Sequence, residues 1–334
     1  MVKCFLMAVL RAAVLLGFAQ MSCFAQGGAC AQLHSLVQST YNFKPSKLTK
    51  DQRASKSTAM DKVWNLVGEH PTEMAPCLMA EMEAPDADHW FLFDAGGLLA
   101  KNDHSARANR LVLRGCELVD LNDVALADWI DRLTALALAD VDISGAADRW
   151  MRYPRASYSV PQHAFLARRP EGAFFLYGSM DEALAAPALL KIANDPTHPQ
   201  RELALSLLGH LATPEADDAF RSVDLSGFSA ETQTGAKSLM ENRPIFARRD
   251  PPKSTREEIL AVLQAAVKQR NFQPFLELVE KVPDGERDMV TVMGAEDLPL
   301  IRKVRRAMAA SGNPHLMEDY PYFTEIIRTL QKGR

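Results

Sequence analysis

The sequence lacks several features that mark sheet proteins, nucleic-acid-binding proteins and cofactor-dependent enzymes. Aromatic residues make up only 7% of the 334 residues, and alternating runs of β-branched residues are almost absent, so a β-sheet fold is not expected. The formal net charge of −4 disfavours binding to nucleic acid. The chain has no GxGxxG, HxxxH, HExxH or CxxC motif. The sequence therefore indicates no metal ion and no other cofactor.

The amino terminus has the composition of a targeting segment. Lys3 precedes a largely apolar stretch that ends in Cys23-Phe24-Ala25. Small residues at Cys23 and Ala25 suit the −3 and −1 positions of a signal peptidase site. We therefore predict a cleavable Sec-type signal peptide over residues 1–25, and a mature protein that is periplasmic or secreted.

Two alternatives for this segment are weaker. A membrane anchor is disfavoured because Arg11 divides the apolar run and leaves only residues 12–19 uninterrupted, far short of the roughly 20 residues that cross a bilayer. Lipid attachment at Cys23 or Cys30 is disfavoured because neither cysteine has the usual aliphatic residue three positions before it. We therefore expect no membrane span after cleavage.

The cysteines fit an oxidising compartment. Of five, Cys4 and Cys23 would leave with the signal peptide, so an odd number remains. One disulfide and one leftover thiol are then expected. The preferred pair is Cys77 with Cys116, since both lie on helical stretches about two helices apart, and Cys30 would be left over.

Helical periodicity runs through the rest of the chain. Apolar residues recur three and four positions apart, and short Pro, Gly, Asp or Asn turns separate the periodic segments. The clearest segments are 55–69, 71–82, 124–139, 255–270 and 298–310. The pattern predicts an all-α fold built from antiparallel helical pairs.

The clearest pair spans helices 181–194 and 199–212 around the turn Asp195-Pro196-Thr197-His198. Its apolar residues Leu189, Leu190 and Ile192, its Asp195 six residues before Arg201, and the run from Ala204 to Leu211 make it similar to a HEAT repeat over about residues 181–216. The resemblance implies that Asp195 and Arg201 form hydrogen bonds between neighbouring repeats. It also implies that Gly209 lets helices approach closely.

Extended along the chain, the resemblance implies an α-α superhelix, a HEAT-like solenoid of helical pairs over residues 30–242. A Pro/Arg-rich stretch, 243–254, is the predicted linker to a carboxy-terminal helical module, 255–334. Solenoids commonly bind proteins on a concave surface. By that analogy we expect a protein partner in the cell envelope or outside the cell.

An irregular stretch, 151–172, interrupts the helical pattern, and long irregular segments in compact proteins are often functional. The candidate binding surface consists of its aromatic and basic residues. These are Tyr153, Tyr158, His163, Arg168 and Arg169. His163 could act as a general base, or it could form an anion-binding pocket with the arginines. The sequence gives no reason to pair a serine or cysteine nucleophile with it. A loop histidine that caps the next helix is favoured.

Other polar or glycine-containing segments favour structural roles. The segment 89–97 contains an aspartate and paired glycines but is best explained as a crowded core helix. The basic run 301–306 is expected to be a solvated helix face, its arginines pairing with Asp297 or with Glu318-Asp319, rather than a polyanion-binding surface.

No catalytic residues are assigned. Acids such as Glu73, Glu81 and Glu83 sit in no recognisable motif. The predicted function is an exported, non-catalytic binding or scaffold protein that uses its helical-repeat surface for protein–protein interaction. The alternative is a periplasmic superhelical hydrolase that acts on cell-wall glycan through paired carboxylates.

Overall fold

The computed structural model describes residues 28–41, 50–122, 124–153, 169–211, 213–243, 245–246, 248, 252–281 and 285–332. Within these ranges the chain is helical and contains no β-strand. The predicted all-α class is therefore confirmed. The predicted signal peptide and the predicted site residues Tyr158, His163 and Arg168 lie outside the described residues.

Two compact units divide the chain, residues 1–123 and residues 124–334. The first contains α1 to α5, and the second contains α6 to α17 with two short 3₁₀ turns, Leu225–Gly227 and Ala295–Asp297. The helices of the first unit are α1 (28–41), α2 (Lys50–Glu69), α3 (Pro71–Glu83), α4 (His89–Asn102) and α5 (Ala106–Leu118). Those of the second unit are α6 (Leu126–Leu138), α7 (Ser144–Arg152), α8 (Arg169–Ser179), α9 (Glu182–Ala193), α10 (Arg201–His210), α11 (Pro214–Arg221), α12 (Ala230–Glu241), α13 (Arg256–Gln269), α14 (Gln273–Lys281), α15 (Gly285–Val292), α16 (Leu298–Ala310) and α17 (Pro314–Lys332).

In the first unit, α4 and α5 cross very closely. A Cβ atom at Gly115 of α5 would lie 2.5 Å from the carbonyl oxygen of Leu92, and one at Gly96 would lie 3.5 Å from the Cα of Val112. Only glycine at position 115 lets the two backbones approach so far. The segment 89–97 is thus a buried core helix, begun by Asp88, whose carboxylate accepts hydrogen bonds from the first-turn amides.

The disulfide differs from the predicted one. Cys77 of α3 is bonded to Cys30 of α1, with 5.2 Å between their Cα atoms. Cys116 is fully buried in α5 and is not part of the bridge. The prediction of Cys77 with Cys116 is therefore wrong. It rested on helix spacing alone, whereas the packing of α1 decides which sulfur atoms meet.

In the second unit, α6 to α12 contact one another in a regular order. Each of these helices contacts the helix two places along the chain: α6 contacts α8, α7 contacts α9, α8 contacts α10, α9 contacts α11, and α10 contacts α12. At Gly209 of α10 a Cβ atom would lie 2.5 Å from the side chain of Leu239 on α12. Gly209 therefore allows a close approach between these two helices.

The helix α16 packs against α6, α8, α13 and α17. Helices from both sides of the stretch 243–254 thus belong to one compact unit, and the units divide instead at residue 123. The basic run on α16 differs from the expected solvated face, because Arg305 is completely buried and Arg306 is 7% exposed. Arg305 lies in the same helical stripe as Ile301, Val304 and Met308, which are also buried.

Candidate functional site

The candidate site is an open groove of about 670 Å³ in the second unit. Three elements form its walls: the carboxy-terminal half of α6, the end of α13 with the residues that follow it, and one face of α16. The volume falls within the range of about 300–1,000 Å³ that is typical of ligand pockets. We call it the α6–α16 groove.

The α6–α16 groove has a mostly apolar floor and a charged rim, and the buried Thr134 and Arg306 also line it. Half-buried aliphatic side chains and a buried aromatic ring form the floor: Ala135, Leu138, Val267, Ala310 and Phe272. The exposed residues Asp131, Asp140, Arg270 and Lys303 form the rim. An apolar centre inside a polar margin is the arrangement found in protein–protein interfaces.

Arg270 is positioned by an unusual backbone conformation. It follows α13 with φ of 50° and ψ of 30°, the left-handed conformation that ends many helices. Glycine is the usual residue there, because a side chain adds steric cost. The conformation ends α13 and leads the chain to Phe272 in the groove floor.

Arg306 forms part of the groove wall and holds two helix ends together. Its Nη2 donates to the carbonyl oxygen of Ala137 at 2.6 Å and to Asp140 at 2.9 Å, and its Nε donates to the carbonyl oxygen of Ser179 at 3.0 Å. The ends of α6 and α8 present carbonyl groups and negative dipole charge, which favour a cation. Arg306 therefore fixes the wall rather than offering a free charge to a ligand.

The predicted surface of tyrosine, histidine and arginine residues lies largely outside the described part of the chain. Tyr153 directly follows α7 and is half-buried, and Arg169 begins α8. Neither lines the α6–α16 groove. The sequence offered little signal for the groove, because its lining residues range from 131 to 311.

The predicted repeat residues Asp195 and Arg201 do not form one shared contact. Asp195 accepts hydrogen bonds from the backbone amide and hydroxyl of Thr197, and from Arg152 of α7 at 3.4 Å. These hydrogen bonds lower the pKa of the Asp195 carboxyl. Arg201 donates to the carbonyl oxygen of Gly227 at 3.3 Å and lies 3.9 Å from the ring centre of Phe228. Each residue thus joins the 181–212 pair to a different neighbouring segment.

Among the described residues, a buried histidine and a partly exposed aspartate resemble a catalytic dyad. His198, in the turn before α10, is 3% exposed, and its Nε2 lies 2.9 Å from Asp148 of α7. Its Nδ1 accepts a hydrogen bond from the amide of Gln200 at 3.1 Å. Nε2 therefore carries the hydrogen and donates a hydrogen bond to Asp148. Both ring nitrogens are occupied, which leaves none to act as a general base.

The acids considered for glycan cleavage are paired with basic side chains in the first unit. Glu83 accepts two hydrogen bonds from Arg107, at 2.7 and 2.6 Å. This pairing lowers the pKa of Glu83. Glu81 lies 3.0 Å from His34, and Glu73 lies 3.9 Å from His70. Glu83 thus forms a surface ion pair with Arg107, and Glu81 and Glu73 each lie beside a histidine.

Among the described residues, no group of three or more His, Cys, Asp or Glu side chains could hold a metal ion. In the same part of the chain, no helix has both the length and the apolar character needed to span a bilayer. Comparison of the chain with protein-family models, with curated proteins and with solved structures finds no match.

Proposed function

We propose that this chain is an exported, non-catalytic binding protein, and that a protein partner docks in the α6–α16 groove. The observation that carries the proposal is the groove itself, with its apolar floor and its rim of four charged residues. Arg270 and Lys303 on that rim form no ion pair or hydrogen bond with other described residues, so both cations are available to a partner.

A protein suits this groove better than a small apolar molecule. The groove is open to solvent and carries charge of both signs along its margin. Small-molecule sites are mostly apolar and enclose most of the ligand surface. A segment of a partner protein could place apolar side chains on the floor and pair its charges with the rim.

We further propose that α6 to α12 form a HEAT-like solenoid. The contacts of each helix with the helix two places further along the chain support this arrangement, because stacked helical pairs produce that order. Gly209 supports it too, since it permits close approach between α10 and α12. The proposed assembly of repeats would give the groove a rigid wall.

Export to an oxidising compartment is also proposed. The Cys30–Cys77 bridge supports it, because disulfides form and persist mainly in such compartments. The bridge lies just beyond the predicted cleavage site after residue 25, so cleavage there would keep both of its cysteines.

A photo-crosslinking amino acid placed in the groove tests the proposed binding role. We would replace Ala310 on the groove floor and, as the control, the exposed Lys237 on α12, which does not line the groove. After illumination of cells that export the full chain, we expect a discrete protein adduct from position 310 only. Combining the crosslinker at 310 with Lys303→Glu should reduce that adduct at least several-fold. Equal adducts from both positions, or none from position 310, would contradict docking in the groove.

A further inference from the structure

Arg243 lies at the start of the Pro/Arg-rich stretch and has unused hydrogen-bond donors although it is buried. Its side chain is only 7% exposed, and its Nη1 is paired with Asp217 of α11. Its Nε and Nη2 have no hydrogen-bond partner in the described part of the chain. These two atoms lie on the same edge of the planar guanidinium group. That edge is the fork that matches the two oxygens of a carboxylate or phosphate.

Arg328 of α17 is a second buried guanidinium close by. It is 6% exposed, and its Nη2 donates to the carbonyl oxygens of Gly209 and Leu211, at 2.8 and 3.1 Å. Its Nε has no partner among the described residues. Burial, together with the positive charges of Arg243 and Arg305, lowers the pKa of Arg328 to about 10. The two guanidinium groups therefore repel each other in a poorly hydrated place.

The acidic groups nearby do not complete the hydrogen bonding. Asp217 occupies only the Nη1 position of Arg243. Glu325 carries the other nearby negative charge, but burial raises the pKa of its carboxyl, which disfavours that charge. Three donor nitrogens have no acceptor among the described residues, Nε and Nη2 of Arg243 and Nε of Arg328. Buried donors without acceptors are rare because each one costs desolvation energy.

Phe246, three residues after Arg243, packs against α17. The amide of Phe246 donates to Thr329 at 3.0 Å, and the Phe246 ring stacks on Tyr322, with 6.2 Å between ring centres. These contacts hold the segment after Arg243 against α17. Ile245 is 48% exposed and Tyr322 is 44% exposed.

We propose that Arg243 and Arg328 form a binding site for an oxyanion of the carboxylate or phosphate type. The Nε–Nη2 fork of Arg243 donates two parallel hydrogen bonds to it, and the positive charge of Arg328 adds electrostatic attraction. The bound anion offsets the repulsion between the two guanidinium groups. The site is independent of the α6–α16 groove and of the proposed protein partner, because none of its residues lines that groove.

Anion-dependent thermal stability of the mature protein tests the site. Sodium acetate and sodium phosphate, titrated separately at constant ionic strength against sodium chloride, provide the carboxylate and phosphate probes. We expect at least one probe to raise Tm with a saturable dependence, since a ligand that binds only the folded state stabilises it. The probe with the stronger response identifies the preferred oxyanion.

Variants distinguish anion binding at this site from a general effect of salt on stability. The distinction is needed because phosphate also stabilises proteins through exclusion from their surface. Arg243→Lys keeps the charge but removes the fork, and we expect it to weaken the apparent affinity at least tenfold. Arg221→Lys on α11 is the matched control, because Arg221 is an exposed arginine, and it should respond as the wild type does. An equal Tm response in all three proteins, or a response that never saturates, would overturn the proposal.

A second measurement needs no variant. In the wild-type protein labelled with ¹⁵N-arginine, the Nε–H proton of Arg243 should move downfield with the same saturation curve as Tm. An unchanged Nε–H resonance throughout both titrations refutes the site even if Arg243→Lys does not fold.

Discussion

Removing the charge of Glu182 should destabilise the second unit strongly. Glu182 begins α9, its side chain is 6% exposed, and it is paired with Arg305 of α16, whose side chain is fully buried. The pair joins residues 123 positions apart. Glu182→Gln preserves the size of the side chain but leaves the Arg305 guanidinium without its counter-ion.

The expected loss follows from this burial. Breaking one partner of a buried ion pair typically costs about 3–5 kcal/mol, because an uncompensated charge stays in a poorly hydrated place. Glutamine retains one carbonyl acceptor, and Arg305 keeps its hydrogen bond to Thr324 at 3.2 Å. We therefore expect the lower end, about 3 kcal/mol, which is roughly a hundredfold increase in the unfolding equilibrium constant.

Urea unfolding and hydrogen exchange would measure the effect. Trp129 and Trp150 lie in the second unit with 6.0 Å between ring centres, so their fluorescence contributes a signal from that unit. Hydrogen exchange followed by mass spectrometry would locate the loss of protection, which we expect on α9 and α16.

The control is Glu202→Gln. Glu202 is also a first-turn glutamate, on α10, but it is exposed, so its loss should cost less than about 1 kcal/mol. A double change, Glu182→Leu with Arg305→Met, should recover most of the stability, because an apolar pair can replace a buried ion pair. If Glu182→Gln costs no more than Glu202→Gln, the buried pair does not hold α16 to α9.

Three further predictions concern the bridge, a helix crossing and pH. Replacing Cys30 and Cys77 by serine should cost up to about 4 kcal/mol from chain entropy over 47 residues, and a reductant should lower Tm in the wild type but not in the variant. Gly115→Ala should cost about 1–3 kcal/mol in denaturant unfolding because its Cβ would collide with a carbonyl oxygen of α4, whereas Gly68→Ala, which faces open space on α2, should cost nothing. Burial raises the folded-state pKa of Glu325 above its unfolded value of about 4.3. The stability that the protonated Glu325 carboxyl contributes is therefore present at low pH and is lost as pH rises through the folded-state pKa. Glu325→Gln should therefore be more stable than the wild type at pH 7 in thermal unfolding, with a difference that shrinks towards pH 4; a difference that grows on acidification would refute this assignment.

Much of the local structure was predictable from the sequence. The recurrence of apolar residues three and four positions apart predicted helices at 71–82 and 298–310, and the structure has α3 and α16 there. The period of a helix is a local property, so neighbouring residues suffice to reveal it. The segment 89–97 was likewise correctly predicted as a core helix, because its apolar residues and paired glycines suit close packing.

Arg305 shows where local patterns stop being informative. It shares a helical stripe with apolar residues, so its position indicated burial, but its charge favoured solvent. Glu182 and Thr324, which bond it, come from α9 and α17. A buried arginine is tolerable only when such partners surround it. No local sequence pattern contains that information.

The sequence by itself determined that this protein is helical, where most helices and turns fall, and which residues could enter a core. Only the tertiary structure decided that Cys77 bonds Cys30, that Arg306 holds the ends of α6 and α8, and that the α6–α16 groove exists. The physical reason is the range of the interactions. Backbone hydrogen bonds and helical periodicity act within a few residues, whereas a disulfide, a buried charge and a groove depend on side chains that packing brings together from distant helices.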